Sequence, residues 1–134
     1  MSIKTAILNS HTVNSESWIA KNNLVIIDPI FVKKEWAIVD KAWANDDIAG
    51  VSITSIVAAS DNETKDRRVV NFFPKSIKNQ YEITISWGTV TEADENKNFN
   101  LKDEQTVDGS TASSWTKLRL VKFINDKKWI FEIN

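Results

Sequence analysis

The sequence predicts an α+β fold in which one helix packs on a curved antiparallel sheet of about five to six strands. Two observations predict this class: a helix-start signal followed by apolar residues at spacings of three and four, and a change to every-other-residue spacing near position 50. A third, the length of 134 residues, suits one domain. We therefore expect residues 1–134 to form a single domain, with an all-β sandwich as the alternative.

The predicted helix covers residues 29–44. Asp28 can cap the free N–H groups at its start, and Pro29 suits the first helical position because its missing N–H would be unpaired there anyway. The competing interpretation is two short strands, because residues 31–32 and 38–39 are also good strand formers. The apolar residues that recur at spacings of four, three and four are Val32, Trp36, Val39 and Trp43.

The predicted strands lie on both sides of this helix. Residues 91–114 are weakly patterned, so they hold either a hidden short strand near residues 99–107 or a loop with a function. The clearest half-buried strand is 81–87, where apolar and polar residues alternate. The segments with strand-forming composition or alternation are 3–8, 24–27, 51–57, 67–73, 81–87, 115–124 and 129–134.

The closing hairpin, residues 118–133, contains the run Lys-Lys-Trp-Ile-Phe-Glu-Ile. In element order it resembles the last strands of cystatin-like and NTF2-like folds, over the C-terminal half of the chain. The resemblance implies a cone in which the helix closes a curved sheet. The predicted strands before the helix depart from the NTF2-like pattern, and fold class by itself assigns no function.

The composition excludes several kinds of site. The chain has no cysteine, which rules out disulfides, thiolate metal sites and cysteine catalysis. Its one histidine, His11, has no partners at a spacing that indicates a catalytic triad. Four residues alternate like calcium ligands, but Phe99 and Gln105 replace the glycine and glutamate such a loop needs. We predict no catalytic residue, no cofactor and no metal site. The four alternating residues are Asp94, Asn96, Asn98 and Asn100.

Charge is segregated along the chain although the net charge is only −1. Residues 64–80, which include Arg67 and Arg68, hold five cationic residues and one acidic residue. Residues 115–134 hold five cationic and two acidic residues, and residues 91–108 hold six acidic and two cationic residues. The chain therefore has two basic segments separated by an acidic one.

The strand predicted over residues 115–124 places its cations beside an aromatic residue. Trp115, Lys117 and Arg119 fall on one face, and Leu118, Leu120 and Ile124 fall on the other. If the leucines are core, an indole and two cations are displayed together. Such a face can stack on a base or sugar, or bind an acidic partner.

We predict a non-enzymatic binding or protein-interaction domain that uses this charge-patterned face and the 91–114 segment. The expected partner is another protein or an anionic or carbohydrate surface. The near-zero net charge disfavours nucleic acid, and a homo-oligomer is a further option. The predicted binding residues are Trp115, Lys117, Arg119, Arg67 and Arg68.

Two other functions stay open. One is a small-ligand pocket protein or enzyme in the cone-shaped fold, and the other is a structural subunit of a larger particle. We expect a cytoplasmic protein without a membrane span, because the chain shows no apolar leader and no long apolar run; a component of a secreted particle is the alternative. The predicted pocket residues are Trp36, Trp43, Tyr81 and Trp87.

Overall fold

A computed structural model describes residues 3–5, 16–21, 24–26, 28–35, 38–53, 69–110, 112 and 117–134. Apart from two single-turn 3-10 helices, Lys75–Ile77 and Glu92–Asp94, the regular structure of these residues is all strand. Among them there is no helix with the length and apolar character that crossing a bilayer requires. The strands are β1 (Ile3–Thr5), β2 (Glu16–Ala20), β3 (Phe31–Glu35), β4 (Ile38–Lys41), β5 (Gly50–Ser52), β6 (Val69–Pro74), β7 (Gln80–Trp87), β8 (Asn98–Leu101), β9 (Thr106–Asp108), β10 (Leu118–Asn125) and β11 (Lys128–Ile133).

The predicted helix is wrong, and the α+β class and the cone are wrong with it. Its residues form β3 and β4, which pair antiparallel from Val32 opposite Lys41 to Glu35 opposite Ile38. The physical reason is that both faces of β3 are buried at its start. Phe31 and Val32 are adjacent and fully buried, yet they belong to different core clusters. A strand points successive side chains to opposite faces, and a helix does not.

Strands β2, β4, β3, β5 and β6 close in that order into a first barrel. The pairing of β2 with β4 is parallel, and the other pairings are antiparallel. Closure leaves this set of strands without a free edge. The predicted alternative, an all-β sandwich, is therefore confirmed in its all-β composition and wrong in its architecture, because the strands form closed barrels. The buried cluster inside consists of Ala20, Leu24, Ile26, Ile30, Val32, Val39, Val70 and Phe72.

Strands β7, β11, β10, β8 and β9 form a second ring, which the parallel pairing of β7 with β9 closes. Strand β1 pairs with β7 as an additional strand. In place of a structureless segment, residues 91–110 contribute β8 and β9 to this barrel. Its buried core includes Ile83, Phe99, Leu101, Val107, Leu118, Leu120, Phe131 and Ile133.

The two barrels meet along β3 and the segment that follows β4. The backbone N–H of Phe31 donates to the carbonyl oxygen of Glu104 at 2.7 Å, and the Gln105 side chain donates to the carbonyl oxygen of Pro29 at 3.3 Å. Phe31, Ala42, Ile48 and Val51 of the first barrel belong to the same buried cluster as the core of the second. We call this junction the seam.

Candidate binding surface at the seam

Trp87 is the most exposed large apolar side chain among the described residues, with 55% of its surface accessible. Strict alternation along β7 would point it into the second barrel with Tyr81 and Ile83. The pairing with β9 is irregular between Ile85 and Trp87, so two residues of β7 oppose Asp108 alone. A bulge of this kind changes the face to which the following side chain points. The indole therefore lies on the outer surface.

Two glycines fix the backbone around this bulge. Gly88 has a φ of +78°, a conformation that residues with a Cβ adopt at a cost. The N–H of Gly109 donates to the carbonyl oxygen of Trp87 at 2.8 Å. A Cβ on Gly88 would stand 2.5 Å from the carbonyl carbon of Gly109. The backbone that follows Trp87 is thus held in close contact with Gly109, and no residue larger than glycine fits at position 88.

A row of polar residues runs from Trp87 across the outer face of the second barrel. Asp108 pairs with Trp87 on one side and with Asn100 on the other. Lys117 stands opposite Asn100, because Leu118 pairs with Phe99. Paired residues on neighbouring strands share a face, and neighbouring strands lie about 5 Å apart, so the row is about 15 Å long.

The first barrel contributes the turn of residues 43–46 to this row. The Asp46 N–H donates to the carbonyl oxygen of Trp43 at 3.1 Å, and the Trp43 N–H donates to the Asp46 carboxylate at 2.8 Å. Asn45 has a φ of 70°, as the third residue of a type II turn requires. The turn is therefore closed by both its backbone and its last side chain.

This turn is clamped onto the second barrel by two side chains. The Asn45 N–H donates to Asn100 Oδ1 at 3.0 Å, and Asn100 Nδ2 donates to Asn45 Oδ1 at 2.7 Å. Lys117 Nζ donates to the carbonyl oxygens of Asn45 and Asp46, at 3.2 and 2.7 Å. We call Trp43, Asn45, Asn100, Lys117, Asp108 and Trp87 together the seam surface.

Each exposed indole of the seam surface carries a lysine ammonium over its ring. Lys102 Nζ lies 3.8 Å from the ring centroid of Trp87, and Lys41 Nζ lies 4.5 Å from that of Trp43, which is 46% exposed. Such cation–π contacts order both side chains. Summed along the paired residues, the Cα atoms of the two tryptophans are at most about 25 Å apart.

The carboxylates near the seam are partly neutralised. Asp46 lies 3.3 Å from Lys33 Nζ, which also contacts Glu35 at 3.1 Å. The hydrogen bond to Glu35, opposed by burial and supported by Asp46, raises the pKa of Lys33 above its ordinary value. Asp108 accepts the backbone N–H of Ser110 at 2.9 Å. Counted over the seam surface and the two lysines above its indoles, three ammonium groups (Lys41, Lys102 and Lys117) stand against one carboxylate, that of Asp108.

The sequence-predicted face lies next to this surface. Leu118 and Leu120 are fully buried, and Lys117 and Arg119 are on the outer face, as the alternation predicted. The prediction is wrong for Ile124, which is 41% exposed because the pairing of β10 with β11 is irregular before and around it. Arg119 Nη1 donates to Asn96 Oδ1 at 2.9 Å, and Nη2 lies 3.6 Å from a Glu132 carboxylate oxygen. Lys117 thus contributes to the seam, whereas the Arg119 guanidinium is engaged within the second barrel.

The acidic segment packs against β10 beside Arg119. The Asn96 N–H donates to the carbonyl oxygen of Leu120 at 2.7 Å, and Glu95 accepts the Phe123 N–H at 2.8 Å. Asp94 accepts the Thr91 N–H and lies 2.9 Å from Lys97 Nζ. These two contacts, that with the Thr91 N–H foremost, hold the pKa of Asp94 below its ordinary value.

The three predicted pocket residues that the structure describes do not line one pocket. Tyr81 is buried in the core of the second barrel, whereas Trp43 and Trp87 are exposed on the seam surface. A cleft of about 310 Å³ opens instead on the first barrel, with Lys34, Phe72 and other residues in its walls. The predicted residues that lie outside the described part of the chain are Trp36, Trp115, Arg67, Arg68 and His11.

Sequence reasoning missed the residues that build the seam surface between the two indoles. Asn45 and Asp108 had no pattern of their own, and Asn100 stood out only in the calcium-like alternation. The hydrogen bonds that join Asn45 to Asn100 connect positions 55 residues apart. The available signal was the glycine pair at 88 and 109, because the chain has only three glycines and each one marks a close backbone approach.

Substitution of Lys117 tests whether the clamp stabilises the fold. Lys117→Met keeps most of the aliphatic stem and removes the charged donor from the carbonyl oxygens of Asn45 and Asp46. We expect the free energy of unfolding in urea to fall by about 1–2 kcal/mol, because hydrogen bonds to charged groups contribute about 1.5–3 kcal/mol and these two are partly exposed. The matched control is Lys122→Met on β10, an exposed lysine, which should change it by less than about 0.5 kcal/mol. Equal effects of the two variants would contradict the clamp.

No family model matches this sequence, and no curated protein matches it.

Proposed function

We propose that this chain is a non-enzymatic protein-interaction domain that binds an acidic protein surface through the seam surface. The observation that supports this most is the pair of exposed indoles, Trp43 and Trp87, each with a lysine ammonium over its ring. Tryptophan is among the residue types that dominate the energetics of protein interfaces when a partner desolvates them. The proposal therefore rests on two anchors of the residue type that such interfaces favour.

The rigidity of the two anchors supports binding. Trp87 follows a bulge held by Gly88 and Gly109, and Trp43 begins a turn that two hydrogen-bonded asparagines attach to the second barrel. Ordering a mobile side chain on binding costs about 0.5–1.5 kcal/mol. Anchors that are already ordered avoid most of that cost, so the surface is preorganised for a partner.

The charges of the surface favour an acidic partner. Lys41, Lys102 and Lys117 carry three positive charges, and Asp108 carries a negative charge in the middle of the row. Complementary charge speeds encounter and excludes wrong partners. Carboxylates of a partner can approach the two lysine–indole pairs while its apolar groups cover the rings.

The polar groups between the indoles favour a protein over a carbohydrate. A sugar is bound by hydrogen-bonding groups that converge beside an aromatic ring. Here the amides of Asn45 and Asn100 are bonded to each other, and the Lys117 ammonium is bonded to carbonyl oxygens. What the surface offers outward is indole area and positive charge, which suits the larger contact of a protein.

Alanine substitution of each tryptophan tests the proposal. Wild type, Trp43→Ala, Trp87→Ala and Ile124→Ala are used to capture proteins from cells that naturally contain this chain. Each captured protein is then purified and titrated by calorimetry. We expect each tryptophan variant to weaken binding at least tenfold, about 1.4 kcal/mol. Binding should also weaken as salt is raised.

The control variant is Ile124→Ala, which removes an apolar side chain of similar exposure on the β10–β11 hairpin, away from the seam. It should leave the affinity unchanged. Circular dichroism checks that all variants keep the strand content of wild type. A partner that binds all four proteins equally, or whose contact surface is basic, would show the seam surface not to be the binding site.

A further inference from the structure

Strand β1 lies outside the closed ring of the second barrel. Among the described strands it pairs with β7 alone, opposite Tyr81, Glu82 and Ile83. The parallel pairing with β9 begins further along β7, at Thr84, and it completes the ring without β1. Removal of β1 would therefore leave every pairing of the ring in place.

β1 nevertheless covers part of the second barrel that would be exposed without it. Ile3 is buried in the core cluster of the second barrel and stands opposite Ile83. Without β1, the β7 backbone opposite it would lose its partner, and apolar surface around the Ile3 position would meet water. β1 is thus not needed to close the ring, yet it covers backbone groups and apolar surface beside β7 whose exposure to water would be unfavourable. We call this part of the second barrel the slot.

The slot that β1 fills and the next strand along the chain, β2, belong to different barrels. β1 docks on the second barrel, and β2, the next strand, is part of the first. The ten residues between Thr5 and Glu16 can span up to about 35 Å when extended. A connection of this length allows β1 to reach the β7 of a neighbouring molecule while β2 stays in its own barrel.

We propose that β1 is exchanged between two copies of this chain, so that Ile3–Thr5 of each copy docks on β7 of the other. The occupant is a second copy because its β1 has the residues and register that the slot already accepts. In the register of the two strands, Ile3 stands opposite Ile83 and Lys4 opposite Glu82. Exchange of an identical element is a low-cost route to a dimer because it keeps each contact. This dimer does not depend on the seam surface.

Cysteine substitution gives a direct test because the chain has no cysteine of its own. Lys4→Cys is made in one copy and Glu82→Cys in a second copy lengthened by a tag, and the two are co-expressed and oxidised. The Cα atoms of directly paired antiparallel residues lie about 4.5–5.5 Å apart, within the range that a disulfide spans. Exchange places the two thiols side by side, and the product is a covalent heterodimer on a non-reducing gel.

The control pairs Lys4→Cys with Asp47→Cys, a well-exposed position in the first barrel, to measure disulfides from random encounter. We expect the Lys4–Glu82 heterodimer in several-fold excess over this control, and its loss when Ile3→Asp is added. The double variant Lys4→Cys/Glu82→Cys tests whether the disulfide geometry is attainable. If that variant closes within one chain at monomer mass while the mixed pair gives no more than the control, β1 docks only on its own β7 and the proposal is overturned.

Discussion

Phe131→Ala is expected to lower the free energy of unfolding by about 3–5 kcal/mol. Phe131 is fully buried in β11, which pairs with β7 on one side and β10 on the other. Its ring meets that of Phe99 edge to face, with centroids 6.2 Å apart and planes at 88°. Truncation removes this contact and leaves a cavity between closed strands that cannot collapse easily. The loss is a large part of the roughly 5–15 kcal/mol that stabilises a domain.

Urea unfolding followed by tryptophan fluorescence measures this loss, and Trp87→Ala is the matched control. The control removes a larger aromatic side chain, but one that is more than half exposed at the end of β7. We expect its effect to stay below about 1 kcal/mol. A similar loss in both variants would mean that the second barrel is not packed around Phe131.

Three strands of the C-terminal half, β7, β10 and β11, were predictable because each carries its own pattern. Along β7, Tyr81 and Ile83 are buried and Thr84 is exposed, as alternation requires. Strands β10 and β11 form the hairpin that their composition indicated, joined through Asp126 and Lys127. Local alternation and a short polar turn suffice wherever sequential strands pair with each other.

The helix prediction failed because a spacing of seven residues has two physical origins. Val32 and Val39 are seven apart, which equals about two turns of helix. They are also the inward residues of two strands joined by a two-residue connection, since Lys34 pairs with Val39 and Glu35 with Ile38. Burial of Phe31 against the second barrel decided between the two structures, and that contact is invisible in the local sequence.

The candidate site was less predictable than the fold for a related reason. Alternation placed Trp87 with the core residues of β7, and the bulge opposite Asp108 moved it to the surface. The partner that produces the bulge is β9, a strand about twenty residues away within a weakly patterned segment. Lys117, by contrast, was identified from its own strand, because the buried leucine at 118 fixes the face of its neighbours.

Tyr81 is expected to make the fold sensitive to alkaline pH. It is the only tyrosine of the chain, and it is 2% exposed in the core of the second barrel. Burial raises the pKa of its hydroxyl from 10.0 to about 12, and a hydrogen bond with Asn79 offsets part of that rise. The ionised form is therefore disfavoured in the folded state relative to the unfolded chain.

The sign of the effect follows from the two pKa values. Below a pH of about 10, Tyr81 is neutral in both states and its full contribution to stability is present. Between pH values of about 10 and 12 the unfolded chain loses the proton first, so the free energy of unfolding falls by about 1.4 kcal/mol per pH unit. The total loss approaches about 3 kcal/mol once the pH passes the folded value.

Chemical denaturation at a series of alkaline pH values measures this loss, and Tyr81→Phe isolates it. The variant keeps the buried ring and removes the ionisable group, so lysine titration affects both proteins alike. We expect the stability of wild type to fall more steeply than that of Tyr81→Phe above a pH of about 10. Ultraviolet difference absorbance should show wild-type tyrosinate appearing together with unfolding. Parallel stability curves for the two proteins, or tyrosinate formed in a fully folded barrel near the ordinary pKa, would contradict the buried hydroxyl.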